Sequence, residues 1–185
     1  MHKDQAIAIL IETAKGFYDK NWMLGTSGNL SLRVAPAFMI TASGKDKGQL
    51  TIHDFVDINA PNASAEAKLH EVLYNTFPEV QAVYHVHTVA ATILSMEKEL
   101  QFSGLEMLKG LGCSTHDTSI KIPVLENTQD IDALSRILIP QINPDVPGFL
   151  LKGHGLYAWG NSPLEAKRHI EIFEFLFQVK LLGHL

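Results

Sequence analysis

The chain has 185 residues, 46% of them hydrophobic, with a formal net charge of −5, which is one-domain size with ample apolar material for a core. The negative balance and the absence of any Lys/Arg cluster exclude a nucleic-acid backbone as partner. No segment approaches the roughly 20 apolar residues that span a bilayer, and MHKDQ carries scattered charge instead of a basic patch and apolar run, so we expect an untargeted cytoplasmic protein with no membrane partner.

From Asp4 to about Lys20, Ile7, Leu10, Ile11, Ala14, Phe17 and Tyr18 recur at helical spacing and predict an amphipathic opening helix that ends near Asn21. GTSGNLSLRV and FMITASGKDKG each combine a short β-type run with a Gly/Ser-rich turn, which predicts two strands whose ends carry exposed loops. A helix over 65–76 follows and is broken by Pro78, after which AVYHVH reads as a buried strand running into a helix, TVAATILSM. GLEMLKGLG predicts a short helix, IKIPVLEN a strand, and 129–141 a helix with Thr128 as N-cap. FLLKGHGLYAWG reads as two strands joined by a turn through Gly153, His154 and Gly155. Ser162-Pro163-Leu164-Glu165 forms a capping box that starts a long terminal helix, whose face of Ala166, Ile170, Phe173, Phe177 and Leu181 packs inward. Strands and helices mix along the whole chain without a linker or repeat, so the expected fold is a single α/β domain, one mixed sheet covered by helices.

Nine histidines are the unusual count in the composition. In Tyr84-His85-Val86-His87 the two imidazoles lie two apart on a predicted strand, so the period-2 geometry puts both on one face, a spacing that chelates a metal. A third ligand is expected from His154, because Gly153 and Gly155 leave room around its ring and let the backbone turn. Three neutral imidazoles leave an open position on zinc for a substrate oxygen. His2, His53, His70, His116, His169 and His184 lack such context and are read as structural or surface residues. The lone Cys113 cannot form an internal disulfide and reads as a small core residue. The two Gly/Ser loops place backbone N–H groups and hydroxyls where a phosphate could be held, with Ser27, Gly28, Asn29, Ser43, Gly44 and Lys45 as candidate substrate contacts. Neither has Walker-loop spacing.

In this order, GNLS, TxSG, a Glu-bearing helix, HxH and a late GHG resemble the class II aldolase family of zinc sugar-phosphate lyases, over about residues 5–182. The segments GLEMLKGLG, IPVLEN and GHGLYAWG, followed by EAKRHIEIFEFLFQ, resemble a branch of that family that eliminates water. The resemblance implies a three-layer αβα domain with a mostly antiparallel central sheet, acting as a lyase on a small phosphorylated ketose. It implies one zinc per subunit on His85, His87 and His154, a phosphate around Gly28, Asn29, Ser43, Gly44 and Ser64, and a homotetramer with sites at subunit contacts. The sugar-phosphate aldolases carry two serines before the helix Glu; here Ser64 is followed by Ala65. Glu66 stands where those aldolases have their catalytic carboxylate, whereas Glu106 lies in the segment shared with the water-eliminating branch. We favour Glu106 as the acid/base, since a carboxyl in an apolar stretch can have its pKa raised toward neutrality. The alternatives are an aldolase or epimerase for a pentulose or hexulose phosphate, and a metal-binding regulatory protein on the same fold.

Overall fold

A computed structural model describes residues 2–183; His184 lies outside the described residues. The opening helix α1 spans Lys3–Asp19 and buries Ala6, Ile7, Leu10, Ala14 and Phe17 at the predicted spacing. It ends where Asn21 takes a left-handed φ of 61°, a conformation that Asn tolerates better than most residues.

A seven-stranded sheet forms the middle of the domain. Its members are β1 (Asn29–Val34), β2 (Ala37–Thr41), β3 (Phe55–Asp57), β4 (Ala82–Val86), β7 (Val124–Leu125), β8 (Gly148–Leu151) and β9 (Gly155–Gly160). They lie side by side in the order β3-β2-β1-β4-β9-β8-β7. Every pairing is antiparallel except β7 with β8 at one edge. The remaining strands, β5 (Leu100–Phe102) and β6 (Ile120–Ile122), form a separate hairpin-like pair.

The alternation along β4 divides the core between the two faces of the sheet. Ala82, Tyr84 and Val86 pack with residues of α1, of α3 (Val89–Leu94) and of α5 (Pro163–Gly183). Val83 points the other way, toward Leu69 and Leu73 of α2 (Ala67–Thr76) and Leu134 and Leu138 of α4 (Ile131–Gln141). Helices therefore cover both faces, and the sheet is the middle of three layers. Within α5, Ala166, Ile170, Phe173 and Phe177 are fully buried and Leu181 packs partly against them. Burial of each phenylalanine side chain contributes about 1.5–3 kcal/mol. Among the described residues no helix is long and apolar enough to cross a membrane.

Three local expectations need correction. IKIPVLEN is not one strand: Pro123 has no N–H to give a ladder, so the run divides into β6 in the small sheet and β7 at the edge of the large one. The helix expected from residue 129 starts at Ile131, because Asp130 and not Thr128 caps it, its Oδ1 accepting the Ala133 amide at 2.8 Å. GLEMLKGLG is a tighter 3₁₀ turn over Glu106–Leu111, closed by Gly112 at a φ of 94°.

The start of α5 follows the capping chemistry. Ser162 Oγ accepts the Glu165 amide at 3.1 Å, while Glu165 Oε2 reaches back to accept the Asn161 amide at 2.7 Å, one residue before the serine. Replacing Ser162 by Ala should therefore cost about 1 kcal/mol, seen as a melting temperature lower by roughly 2–4 °C. Metal content should be unchanged in that variant, since the cap lies outside the site.

Candidate functional site

Strand register builds the floor of the site. Asn29 of β1 pairs with His85 of β4, and His85 pairs with Tyr157 of β9, so the three stand in one row on one face of the sheet. The His85 ring stacks on Tyr157 at 3.9 Å between centroids, and Tyr157 stacks in turn on Phe149. His85 Nδ1 lies 3.0 Å from the Leu156 carbonyl; donating its proton there leaves the lone pair on Nε2.

His87 lies just past the end of β4, and His154 arrives from the β8–β9 turn. The three imidazoles present ligand atoms that all lie within 4.8 Å of one another. His85 Nε2 is 2.8 Å from His87 Nε2 and 3.4 Å from His154 Nε2. Nitrogens bound to one tetrahedral zinc at its usual bond length stand about 3.4 Å apart, so the trio fits a single ion with only a small outward relaxation. Burial, ahead of the repulsion from the neighbouring imidazoles, lowers the His85 pKa well below its ordinary value and brings His87 down to about 4. Both rings are thus neutral at physiological pH, the state in which imidazole ligates metal.

The glycines around this cluster have separate jobs. Gly153 carries a left-handed φ of 63° that turns the chain toward His154. A Cβ on Gly155 would stand 2.4 Å from the Val86 carbonyl oxygen, 3.1 Å from His85 Cε1 and 3.2 Å from His87 Cδ2, so a side chain there would push into both rings. Gly28, at a φ of 71°, would bring a Cβ to 2.6 Å from the His85 carbonyl oxygen.

Glu66 stands at the N-terminal edge of α2 with its carboxylate turned into the same space. Its Oε2 is 3.3 Å from His85 Nε2 and its Oε1 3.4 Å from His154 Nε2. The Asn29 amide donates to Glu66 Oε2 at 2.8 Å, which fixes the carboxylate and leaves Asn29 Oδ1 without a protein partner among the described residues.

A cavity of about 340 Å³ opens above this group. It gathers Gly28, Asn29, Ser43, Gly44, Ser64, Glu66, His87 and His154, with His85 buried beneath. Three expected residues are not brought in. Ser27 Oγ turns away to donate to the Leu24 carbonyl at 2.7 Å, and Lys45 pairs with Asp54 at 2.9 Å. Glu106 sits on its 3₁₀ turn with a side chain 71% exposed, paired with Lys109 at 2.7 Å. Its pKa is not raised as expected: the hydrogen bond from the Lys109 ammonium holds it below the usual carboxylate range, because the apolar residues around it in sequence do not cover it in space.

Two features of the cavity escaped the sequence. Lys47 lines it and is 2% exposed, where a lysine is ordinarily read as a solvated surface residue. Asn127, Thr128, Gln129 and Ile131 form another part of the wall. The polar run of Asn127, Thr128 and Gln129 shortly after β7 is the available signal, since loops at strand ends carry function. Of the other histidines, His70 and His169 are buried with hydrogen-bond partners, Ser31 Oγ and the Trp159 carbonyl, while His2, His53 and His116 are exposed. Cys113 is partly buried against the main core cluster.

Comparison with known proteins converges on this architecture. Residues 8–181 match the model of the class II aldolase and adducin N-terminal domain. A methylthioribulose-1-phosphate dehydratase of Enterobacter sp. (strain 638) is 48% identical over 187 residues, covering 93% of this chain and 92% of that protein. One from Yersinia enterocolitica is 42% identical, covering 100% of this chain and 95% of that protein. Among solved structures, an L-fuculose-1-phosphate aldolase from Thermus thermophilus superposes with a TM-score of 0.82 at 24% identity, covering 99% and 97% of the two chains. YgbL from Escherichia coli superposes at 0.78 with 21% identity, covering 97% and 90%. These likenesses establish the three-layer fold.

The geometry gives a direct expectation for Gly155. Gly155→Ala should lower divalent-metal content and retention against a chelator, because the added methyl displaces His85 and His87. The control is Gly16→Ala on α1, where a Cβ meets nothing within 4 Å and metal binding should not change. Equal metal retention in both variants would show that the three imidazoles do not hold the ion together.

Proposed function

Because this chain belongs to the class II aldolase and adducin N-terminal domain family, we propose that it is a methylthioribulose-1-phosphate dehydratase. It would convert 5-methylthioribulose 1-phosphate to 5-methylthio-2,3-dioxopentyl phosphate and water, the eliminating step of methionine salvage, in the cytoplasm. The observation that carries the reading is one cavity lined by His87, His154, a carboxylate and two Gly/Ser loops suited to a phosphate, with His85 converging on the same point from beneath. The full-length relatives at 42–48% identity select elimination over carbon–carbon cleavage within that chemistry.

In this reading His85, His87 and His154 hold one zinc. When bound, the ion supplies a Lewis acid that polarises the C2 carbonyl and acidifies the proton on C3. Gly28, Asn29, Ser43, Gly44 and Ser64 grip the phosphate on C1 and so set which carbon faces the carboxylate. Glu66, its carboxylate held by Asn29, would take the C3 proton. As the C4–O bond breaks, the departing hydroxyl needs a proton and leaves as water, and the resulting enol rearranges to the 2,3-diketone.

We assign that second proton to Glu106, delivered by a neighbouring subunit of a homotetramer. In its own chain Glu106 lies outside the cavity. Val89, Ile93 and Met96 on and just after α3 form an exposed apolar strip beginning two residues beyond His87, at 76, 50 and 61% exposure. Such a strip marks a contact surface, and a copy seated there would bring its own groups to the mouth of the site. Burial in that contact would raise the Glu106 pKa from its free-surface value.

Incubating the purified protein with methylthioribulose 1-phosphate should yield the diketone; release of a smaller carbonyl fragment would mark an aldolase instead. Glu66→Gln and Glu106→Gln should each keep the metal and lose about 10²–10⁴-fold in turnover. Co-expression of Glu106→Gln chains with His154→Ala chains should restore activity, because a mixed contact joins an intact metal site to an intact Glu106. No recovery from mixed oligomers, with each parent variant inactive, would place Glu106 outside the reaction across the contact.

A further inference from the structure

Lys47 is a charged residue of the cavity that the chemistry above leaves without a role. It is 2% exposed, yet among the described residues no carboxylate lies within ion-pairing distance of its ammonium. Two of its three N–H donors are used: Nζ donates to the Thr26 carbonyl at 3.0 Å and to the Lys45 carbonyl at 2.8 Å. The nearest acid in sequence, Asp46, gives an oxygen to the Gly48 amide at 2.9 Å. Its field supports the lysine's charge only in part, since burial outweighs it and brings the Lys47 pKa down to about 8. A buried cation held only by carbonyl dipoles is costly to maintain unless an anion completes its shell.

The two carbonyls that hold Nζ belong to the two Gly/Ser loops, which also supply Gly28, Ser43 and Gly44 to the cavity. The cation is therefore anchored where those loops meet. We infer that Lys47 is the counter-ion of the substrate phosphate, its third N–H and its full charge directed to a dianion seated between the loops, and that it selects the phosphorylated ketose over the free sugar. This rests on the phosphoketose reading above and adds to it the residue that supplies the charge. A phosphate held there would receive a charge-assisted hydrogen bond in addition to backbone and hydroxyl donors.

A lysine that only ties the two loops together would give a different result from one that binds an anion. The probe is inorganic phosphate with the metal-loaded protein, followed as a competitive inhibitor and as a shift in melting temperature. In the parent, phosphate should inhibit and should raise the melting temperature. Lys47→Met should fold with a melting temperature equal to or above that of the phosphate-free parent, since the uncharged chain has no ammonium to desolvate. Phosphate should bind it about tenfold or more weakly, and KM for the phosphoketose should rise more than kcat falls. Lys47→Gln keeps donors for the two carbonyls without the charge and should lose phosphate affinity in the same way. If Lys47→Met melts early and Lys47→Gln recovers both stability and phosphate affinity, the lysine is only a tie and the inference fails. It also fails if phosphate binds both variants as it binds the parent, whereas a parent indifferent to phosphate would overturn the phosphoketose reading itself.

Discussion

Three imidazoles bring their ligand nitrogens within 4.8 Å of one another, and that crowding is tolerable only if a cation sits among them or protons are shared between them. The fold gathers the three rings at one end of the cavity and holds each in place. His85 is locked into one tautomer by the Leu156 carbonyl and pressed flat against Tyr157. His87 and His154 close from two sides, and the absence of a side chain at Gly155 leaves room for the His85 and His87 rings. Burial then keeps His85 and His87 uncharged, so the same packing that brings these two rings together also suppresses the protonation that would compete with a metal.

The surroundings hold this geometry through contacts that link distant parts of the chain. Thr88, the residue after His87, caps α3 by accepting the Ala91 amide and donates its hydroxyl proton to the buried Glu174 of α5 at 2.5 Å. Glu174 is held also by Gln178, and burial raises its pKa. Thr92 of α3 donates to the His154 carbonyl, and the Ser95 hydroxyl accepts the Gly153 amide. The turn that carries the third imidazole is thus fastened to the helix that follows the first two. Site precision of this kind comes from supporting hydrogen bonds on rigid elements.

Charge divides the cavity into two regions. Around the imidazoles the groups are neutral or anionic, with Glu66 fixed by Asn29. Between the Gly/Ser loops the groups are donors, with Lys47 behind them. A ligand with a phosphate at one end and vicinal oxygens a few bonds away matches that division, and a neutral sugar would satisfy only one half of it. The two carboxylates differ in the same physical sense. Glu66 is shielded and directed by a neighbour on β1, while Glu106 stands in water beside Lys109.

Much of this was legible along the chain, where the responsible physics is local. The two-residue spacing of His85 on a strand and His87 just past its end, the turn at Gly153, the Ser162 cap and the inward face of α5 each depend on backbone periodicity or on partners a few residues away. What the tertiary structure decided was which polar groups meet and which face water. Lys45 and Lys47 are two residues apart and look alike in sequence, yet one pairs with Asp54 at the surface and the other is buried between carbonyls of two loops. Glu106 lies in an apolar run and is solvated, whereas Glu66 is drawn into the site by Asn29, 37 positions away, through the pairing of β1 with β4 beneath α2. Burial and electrostatics of a side chain are set by whatever the fold packs against it, and those neighbours come from remote segments that no local pattern specifies.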